Sequence, residues 1–380
     1  MNWSIVGVVT VGLSAITFGG LKYRTKVIEQ QKRALFNRRA IEFDQGTLPL
    51  IPGPYLEKGN VVDLKFKVIE LPSMTVKRIS EAGDLLMSSG PDSGVGEYKD
   101  WAVFTRDLKV KKIPNISKAF MDPSGGVYAI RYDEKTYSIG TIAKPDGTSV
   151  RSENAYRLAT FGGFSSRASS KGVLEIGSAT NNLFGYYDFT GTYQKVPFRE
   201  SGSFFVYDSS SAVGDVGVQY PPEGGNSSGL GIFRNKRIEF EDIPIPHEFF
   251  HIHTSKNLVA VTAGETFYQR APYLRTGKES YRRIGVPKGA DQTEIMAMNS
   301  HDEYLVDVCY PDPTVLRKGF KERFDQGLIS GNRYYRLKDI EKKYFAGKMG
   351  TTCGITSSLF DERGDLVASY AGRSYLLLRQ

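Results

Sequence analysis

The stretch LFDERGDLVASY, residues 359–370, combines an apolar pair, a polar turn that contains Gly364, and an apolar run that alternates with smaller residues. Glycine adopts the left-handed backbone of a tight hairpin without steric cost, and asparagine and aspartate tolerate it. The stretch therefore predicts a β-hairpin whose second strand is largely apolar.

The same arrangement occurs seven times, with successive turns 39 to 62 residues apart. The turn positions are Gly83, Gly125, Gly172, Ser211, Asn257, Asp302 and Gly364. A second pair of strands follows most hairpins, as in DWAVFTRDLKVKKIP at 100–114 and RYYRLKDI at 333–340. Four short strands in about 40–50 residues is the period of a β-propeller blade. The sequence predicts an all-β, seven-bladed β-propeller, with six or eight blades as alternatives.

The two ends of the repeat region predict how the ring closes. The last unit stops one strand short, after SYLLLR at 374–379, and VDLKFKVIEL at 62–71 precedes the first unit as one strand in excess. If this strand completes the last blade, no sheet edge stays open at the junction. The largest spacing, between Asp302 and Gly364, predicts an insertion at 311–333.

The units FDERGDLVASYAGRSYLLLR and AMNSHDEYLVDV resemble the HAF repeat, a degenerate propeller-like repeat of predicted extracellular bacterial proteins. Its pattern is roughly I-N-x-x-G-x-V-V-G followed by an aromatic strand. The resemblance covers residues 62–380 in outline and is best in the last unit, because Ser211, Asn257 and Asp302 replace the glycine. It implies an extracellular setting and no catalytic residue.

The N-terminal stretch IVGVVTVGLSAITFGGL, residues 5–21, contains no charged residue. Its 17 residues reach the lower limit for a helix that spans a bilayer, and Trp3 and Tyr23 flank it as interfacial aromatic residues do. It predicts an uncleaved, single-pass transmembrane anchor, with a signal peptide or a buried helix as alternatives. The predicted division is an anchor at 1–21, a basic juxtamembrane helix and linker at 22–60, and a propeller at 61–380.

The basic residues are concentrated beside this anchor. Residues 22–42 carry seven Lys or Arg against two Glu, whereas residues 43–380 carry 43 basic and 40 acidic residues. The nearly neutral domain argues against a nucleic-acid partner. The cluster predicts contacts of Lys22, Arg24 and Lys26 with lipid head groups, and by the positive-inside rule it places the domain in the cytoplasm. An exported or extracellular domain is the alternative.

The stretch PHEFFHIH, residues 246–253, contains a formal H-E-x-x-H zinc motif. That motif needs a helix, in which positions i and i+4 meet on one side. In the repeat register the stretch is instead the first strand of a blade. His247, His251 and His253 then share one face, and Glu248 points to the other. These three histidines are weak candidates for a metal site, and we expect a strand without metal.

Composition and motifs leave two functions open. The first is a membrane-anchored propeller that acts as a protein-binding or assembly scaffold, with the insertion at 311–333 as the contact loop for an unidentified protein partner. A component of a viral or secretion assembly is a variant of this scaffold hypothesis. The alternative is a propeller hydrolase or lyase with a His-containing, metal-dependent site. No cofactor or catalytic residue is predicted, and Cys309 and Cys353 are either two thiols or one bond.

Overall fold

The computed structural model describes the greater part of the repeat region and several helical positions before it. The described residues are 27, 30–31, 33–35, 37–38, 41–42, 50–89, 99–122, 124–132, 140–152, 172–176, 184–188, 193–195, 205–208, 216–220, 229–234, 237–241, 243–245, 249–256, 258–266, 269–310, 324–345, 356–370 and 372–380. The described residues between 27 and 42 are helical, in agreement with the predicted basic helix. The predicted anchor, His247, Glu248 and Cys353 lie outside the described residues.

The first three sheets follow one another along the chain. Two strands that join later sheets come before them: β1 (Tyr55–Lys58) and β2 (Phe66–Glu70). The first sheet contains β3 (Thr75–Ile79), β4 (Leu85–Ser88), β5 (Lys99–Phe104) and β6 (Val110–Ile116). The second contains β7 (Lys118–Met121), β8 (Val127–Tyr132), β9 (Gly140–Ala143) and β10 (Ser149–Ser152). The third contains β11 (Gly172–Ile176), β12 (Phe184–Asp188) and β13 (Tyr193–Lys195).

Four further sheets complete the described structure. The fourth contains β14 (Phe205–Asp208), β15 (Val216–Tyr220), β16 (Gly229–Arg234) and β17 (Arg237–Glu241). The fifth contains β18 (Phe249–Ser255), β19 (Leu258–Thr266), β20 (Gln269–Gly277) and β21 (Ser280–Arg283). The sixth contains β22 (Val286–Pro287), β23 (Gln292–Met298), β24 (Glu303–Cys309), β25 (Phe324–Ser330), β26 (Arg333–Arg336) and β1. Helix α1 (Leu337–Tyr344) precedes the seventh sheet, which contains β27 (Thr356–Phe360), β28 (Leu366–Tyr370), β29 (Arg373–Arg379) and β2.

The protein is therefore mostly β and propeller-like, and the described strands form seven sheets. Consecutive sheets pack together from the fourth through the seventh, and the seventh packs on the first through β27 and β3. Strand β2 pairs antiparallel with β29, from Phe66 opposite Arg379 to Glu70 opposite Tyr375. The surplus strand at the head and the missing strand at the tail thus belong to one sheet. The number of blades in the whole ring stays a prediction.

Four of the predicted hairpin turns share one local structure. Gly83, Gly125, Asp302 and Gly364 all have a positive φ, as predicted for these positions. In each of these turns a Ser, Asp or Asn side chain at the first position accepts a backbone N–H four residues on; these residues are Ser80, Asp122, Asn299 and Asp361. Such bonds close a turn without help from the sheet. One predicted turn is wrong, because Gly172 begins β11 and pairs with Asp188.

Two other expectations near the end of the chain are wrong. RYYRLKDI is not a pair of strands, because Leu337 begins α1, whose buried Leu337 and Ile340 pack in the core between the sixth and seventh sheets. The second part of the predicted insertion is not a loop, because β25 is an inner part of the sixth sheet and pairs with both β24 and β26. FDQGLIS has no alternation of apolar and polar residues, and the long spacing between turns also hid this strand.

Residues 50–65, which we call the strap, fasten the start of the domain to the ring. Strand β1 pairs in parallel with β22 at one end and with β26 at the other, so that it lies on the outer side of the sixth sheet. Ile51 is buried against Ala271 and Val286. Strand β1 thereby covers the edge that β26 would otherwise leave open.

Within the part of the chain that the structure describes, no helix combines the length and the apolar character that crossing a membrane requires.

Candidate functional site

A charged cluster, which we call the histidine cluster, lies where the fifth sheet packs on the sixth. His251 and His253 are in β18, the first strand of its sheet, as the repeat register predicts. Their spacing of two places both on one face of the strand. This backbone is extended, so His251 cannot belong to the helix that a zinc-protease motif needs.

Glu294 of β23 joins the two sheets in this cluster. Its carboxylate bonds to Nδ1 of His251 and forms an ion pair of 2.8 Å with Nη1 of Arg270. Burial alone would raise the pKa of Glu294, but the bond to His251 and the charge of Arg270 outweigh it, and the pKa lies below its usual value. Glu294 is therefore ionised, and it holds the imidazole in one orientation.

Arg270 and Asp307 extend the cluster inward. The Arg270 side chain is only 7% exposed, and burial lowers the pKa of its guanidinium although Glu294 opposes this. Gln326 Nε2 donates a bond of 2.5 Å to Asp307 Oδ1. Burial first, and the charge of Glu294 second, raise the pKa of Asp307 to about 6.

The histidine cluster contains groups suited to proton transfer near neutral pH. A carboxylate bonded to one imidazole nitrogen fixes the tautomer of the ring, and Asp307 has a pKa of about 6. Among the residues that the structure describes, no three His, Cys, Asp or Glu side chains are arranged to hold a metal ion. Cys309 follows Asp307 by two positions in β24.

Sequence reasoning found His251 and His253 but missed their partners. Asp307 is an isolated polar position in an apolar strand, whereas Glu294 and Gln326 each follow another polar residue and Arg270 is the second residue of its strand. A buried charge in an apolar strand requires a partner, which is a signal that Asp307 alone carries. Which residues pair depends on the packing of one sheet on the next, which a strand pattern does not specify.

A second charged cluster, the turn network, lies at the opposite ends of the inner strands, where the hairpin turns of neighbouring sheets meet. Arg379 Nη1 lies 2.6 Å from Glu303 Oε1 in the sixth sheet, and its backbone N–H donates to Asp365 at 2.7 Å. Ser300 donates two bonds to Glu362, which also accepts from Ser255. The network therefore connects the fifth, sixth and seventh sheets.

The turn network reaches the first sheet through a buried carboxyl pair. Asp361 and Asp365 are 3% and 0% exposed, and both direct an Oδ2 atom at Gly83 in the first hairpin. Arg106 Nε of the first sheet lies 3.2 Å from Asp365 Oδ2, and neither that oxygen nor Asp361 Oδ2 accepts a hydrogen bond from the described residues. Burial and the nearby Asp365 raise the pKa of Asp361 to about 8, so this carboxyl carries a proton at neutral pH.

No family model matches the sequence, and no curated protein matches it. The resemblance to the HAF repeat thus stays a prediction. Among solved structures, the chain is similar to the β-propeller domain of the Trilobed protease from Pyrococcus furiosus, with 12% identity, coverage of 81% of this chain and 93% of that one, and a TM-score of 0.46. It is also similar to streptogramin B lyase, with 11% identity, coverage of 83% and 98%, and a TM-score of 0.44. The values for YCF48 from Cyanidioschyzon merolae are 10%, 82%, 98% and 0.43. Likeness at this level says nothing about activity.

Proposed function

We propose that the protein is a membrane-anchored, seven-bladed β-propeller that acts as a protein-binding or assembly scaffold. Residues 5–21 form the anchor, Lys22, Arg24 and Lys26 contact lipid head groups, and the ring lies on the cytoplasmic side. Its partner is a protein. The seven sheets among the described strands and the pairing of β2 with β29 support the ring.

The strap is the observation that carries the proposal. A flexible tether would leave the ring free to turn, but β1 is hydrogen-bonded between β22 and β26, and Gly59 N–H donates to Tyr334 O at 2.8 Å. A Cβ atom at Gly59 would lie 2.4 Å from the ring of Tyr335, so the chain passes directly over that side chain. A scaffold gains from such an attachment, because a fixed ring presents the same loops to every partner near the membrane.

Membrane insertion is tested first. We expect the full chain, expressed in cells, to stay in the membrane pellet after extraction at alkaline pH, and a variant that lacks residues 1–21 to be released. In sealed vesicles, protection of the ring from added protease supports the cytoplasmic orientation. Digestion of the ring would show the opposite orientation, and release of the full chain by alkali would exclude the anchor.

Partner binding is tested with the predicted contact loop. Because β25 begins at Phe324, only residues 311–323 can be replaced without removing a strand of the sixth sheet. We expect a protein captured by crosslinking in the native membrane to be lost when a Gly/Ser linker of equal length replaces 311–323. A matched variant replaces Lys144–Thr148, a turn that joins β9 to β10, with a linker of equal length. Equal loss in both variants would argue against a specific contact.

The histidine cluster favours a second candidate function, a propeller hydrolase or lyase. The observation is that the Glu294 carboxylate bonds to His251. Besides burial, the charge of Glu294 also raises the pKa of Asp307. Elemental analysis of the purified protein tests whether a metal is involved. Metal that is present in the native chain and lost in His251→Ala/His253→Ala, but retained in His301→Ala on the exposed β23–β24 turn, would favour the enzyme. Unchanged metal content in the double variant would exclude a metal site at these histidines.

A further inference from the structure

The strap exposes more apolar surface than its length would lead one to expect. Among the residues that the structure describes, seven large apolar side chains are exposed, and the strap contains three of them. These are Leu50 at 46%, Tyr55 at 48% and Val62 at 59% exposure. Single exposed apolar residues are ordinary, but three within 13 residues of a strand-and-turn segment form a local concentration.

Exposed cations lie on the strap and on the elements next to it. Helix α1 and the strand before it lie beside the strap: Lys58 Nζ is 3.6 Å from Asp339 Oδ2, and Arg333 Nη1 is 2.8 Å from Asp63 Oδ2. Of the exposed charged residues on the strap, on α1 and at Arg333, only Glu57 and Asp63 are anionic. The cationic ones are Lys58, Lys65, Arg333, Lys338, Lys342 and Lys343. We call this the strap–helix surface.

The fold holds this surface in a defined shape. Lys343 Nζ donates to the carbonyl oxygens of Val61 and Leu64, and Tyr344 Oη donates to Leu64 O at 2.7 Å. Lys338 and Lys342 are four residues apart, so they point to the same side of α1, while Leu337 and Ile340 are buried. The three-residue 3₁₀ turn Val61–Asp63, whose Val61 carbonyl accepts from Lys343, exposes Val62.

We infer that the strap–helix surface is a second membrane-contact site, which binds anionic lipid head groups and inserts Val62 and its apolar neighbours into the interfacial layer. This inference rests on the proposed membrane anchoring. It adds that the ring itself lies against the bilayer, rather than being suspended at the end of a stalk.

Position and chemistry both favour a bilayer as the occupant. Only eight peptide steps separate Glu42, the last described helical residue before the strap, from Leu50, and they span at most about 28 Å. The strap is therefore close to the basic helix that the sequence places next to the membrane. Isolated apolar side chains among lysines suit a soft head-group layer that is negatively charged, whereas a protein partner would need a contiguous apolar patch.

The test uses the full chain in vesicles rich in phosphatidylserine or made of phosphatidylcholine alone. A photo-crosslinking amino acid replaces Val62, and a matched variant carries it at Val110, which is 48% exposed beside Lys111 and Lys112 on the first sheet. We expect lipid adducts at position 62 in the phosphatidylserine vesicles, several-fold fewer in phosphatidylcholine, and none above background at position 110.

The charge contribution is tested by Lys338→Gln/Lys342→Gln. Each lysine near an anionic surface changes partition about fivefold, so we expect the adduct yield at position 62 to fall by about tenfold or more. Lys111→Gln/Lys112→Gln, which removes an equal charge from the first sheet, should leave the yield unchanged. An equal fall in both variants would show that net charge alone matters, which would overturn a specific surface.

Alkaline extraction of the same samples separates this inference from the proposed anchor. Retention in the pellet without adducts at position 62 would overturn the strap–helix surface and leave the anchor standing. Release of the chain by alkali would exclude the anchor. Equal adduct yields at positions 62 and 110 would also overturn the inference, because they would indicate non-specific contact with lipid.

Discussion

The histidine cluster and the turn network are both groups of charged side chains between sheets, but they differ in how cations and carboxylates are matched. In the histidine cluster, Glu294 contacts both Arg270 and His251, and its pKa lies below the usual value. In the turn network, Arg106 lies beside Asp365, and Asp361 keeps a proton because burial and the charge of Asp365 outweigh the charge of Arg106. At neutral pH, Glu294 in the first cluster is ionised. Asp361 in the second cluster keeps a proton at the junction of the seventh and first sheets.

This difference indicates which cluster stabilises the ring and which can change with pH. A buried carboxylate with a bonded cation is costly to disrupt, because loss of one partner leaves a buried charge. A carboxyl pair with one shared proton is weakened when that proton leaves. We therefore expect the turn network to determine how the closing junction responds to pH, and the histidine cluster to be less sensitive.

Gly364 gives the largest expected effect. Its φ is +81°, and a Cβ atom there would lie 2.5 Å from Arg379 Nη1 and 2.9 Å from Arg379 Cδ. Gly364→Ala should therefore strain the turn and push Arg379 away from Glu303. We expect a loss of about 2–3 kcal/mol in the free energy of unfolding, measured by urea titration.

The matched control for Gly364→Ala is Gly372→Ala in the same sheet. Gly372 has a φ of +76°, but an added Cβ would meet nothing within 4 Å. This variant should lose about 1 kcal/mol through backbone strain alone. Equal losses in the two variants would show that the contact between Arg379 and Glu303 adds nothing to stability.

Asp361→Asn should instead stabilise the chain, by an amount that depends on pH. The folded chain binds the Asp361 proton with a pKa of about 8, against 3.8 for an ordinary Asp, so native stability is lost as pH rises between these values. Asparagine keeps the oxygen that accepts from Arg363 and Asp365 and cannot ionise. The variant should match the native chain near about pH 4 and then gain on it by up to about 1.4 kcal/mol for each pH unit up to about pH 8.

Urea titrations at several pH values test the carboxyl pair. Asp146→Asn serves as the control, because Asp146 lies in an exposed turn and bonds to Thr148. A difference between Asp361→Asn and the native chain that stays constant from about pH 5 to about pH 9 would contradict a stored proton at Asp361.

The sequence predicted the features that depend on local chemistry. The left-handed turns at Gly83, Gly125, Asp302 and Gly364 are confirmed, because turn type is set by the residue that must adopt a positive φ. Strand β25 and helix α1 were missed, because the spacing between turns does not distinguish a long loop from a strand followed by a helix. Pairing between sheets, such as Glu294 with His251, depends on packing over long sequence separations and leaves no local pattern.

Asp307→Asn should have the smallest effect and provides the comparison within the histidine cluster. The pKa of Asp307 is raised to about 6, so the loss of native stability with rising pH should end near about pH 6 rather than near about pH 8. Gln326 can still donate to the asparagine oxygen, and the variant should gain about half as much as Asp361→Asn, because the pKa shift is about half as large. The same titrations in urea measure it. If Asp307→Asn changed the pH profile as much as Asp361→Asn, the two clusters would not differ in how they hold protons, and the assignment of pH sensitivity to the closing junction would be wrong.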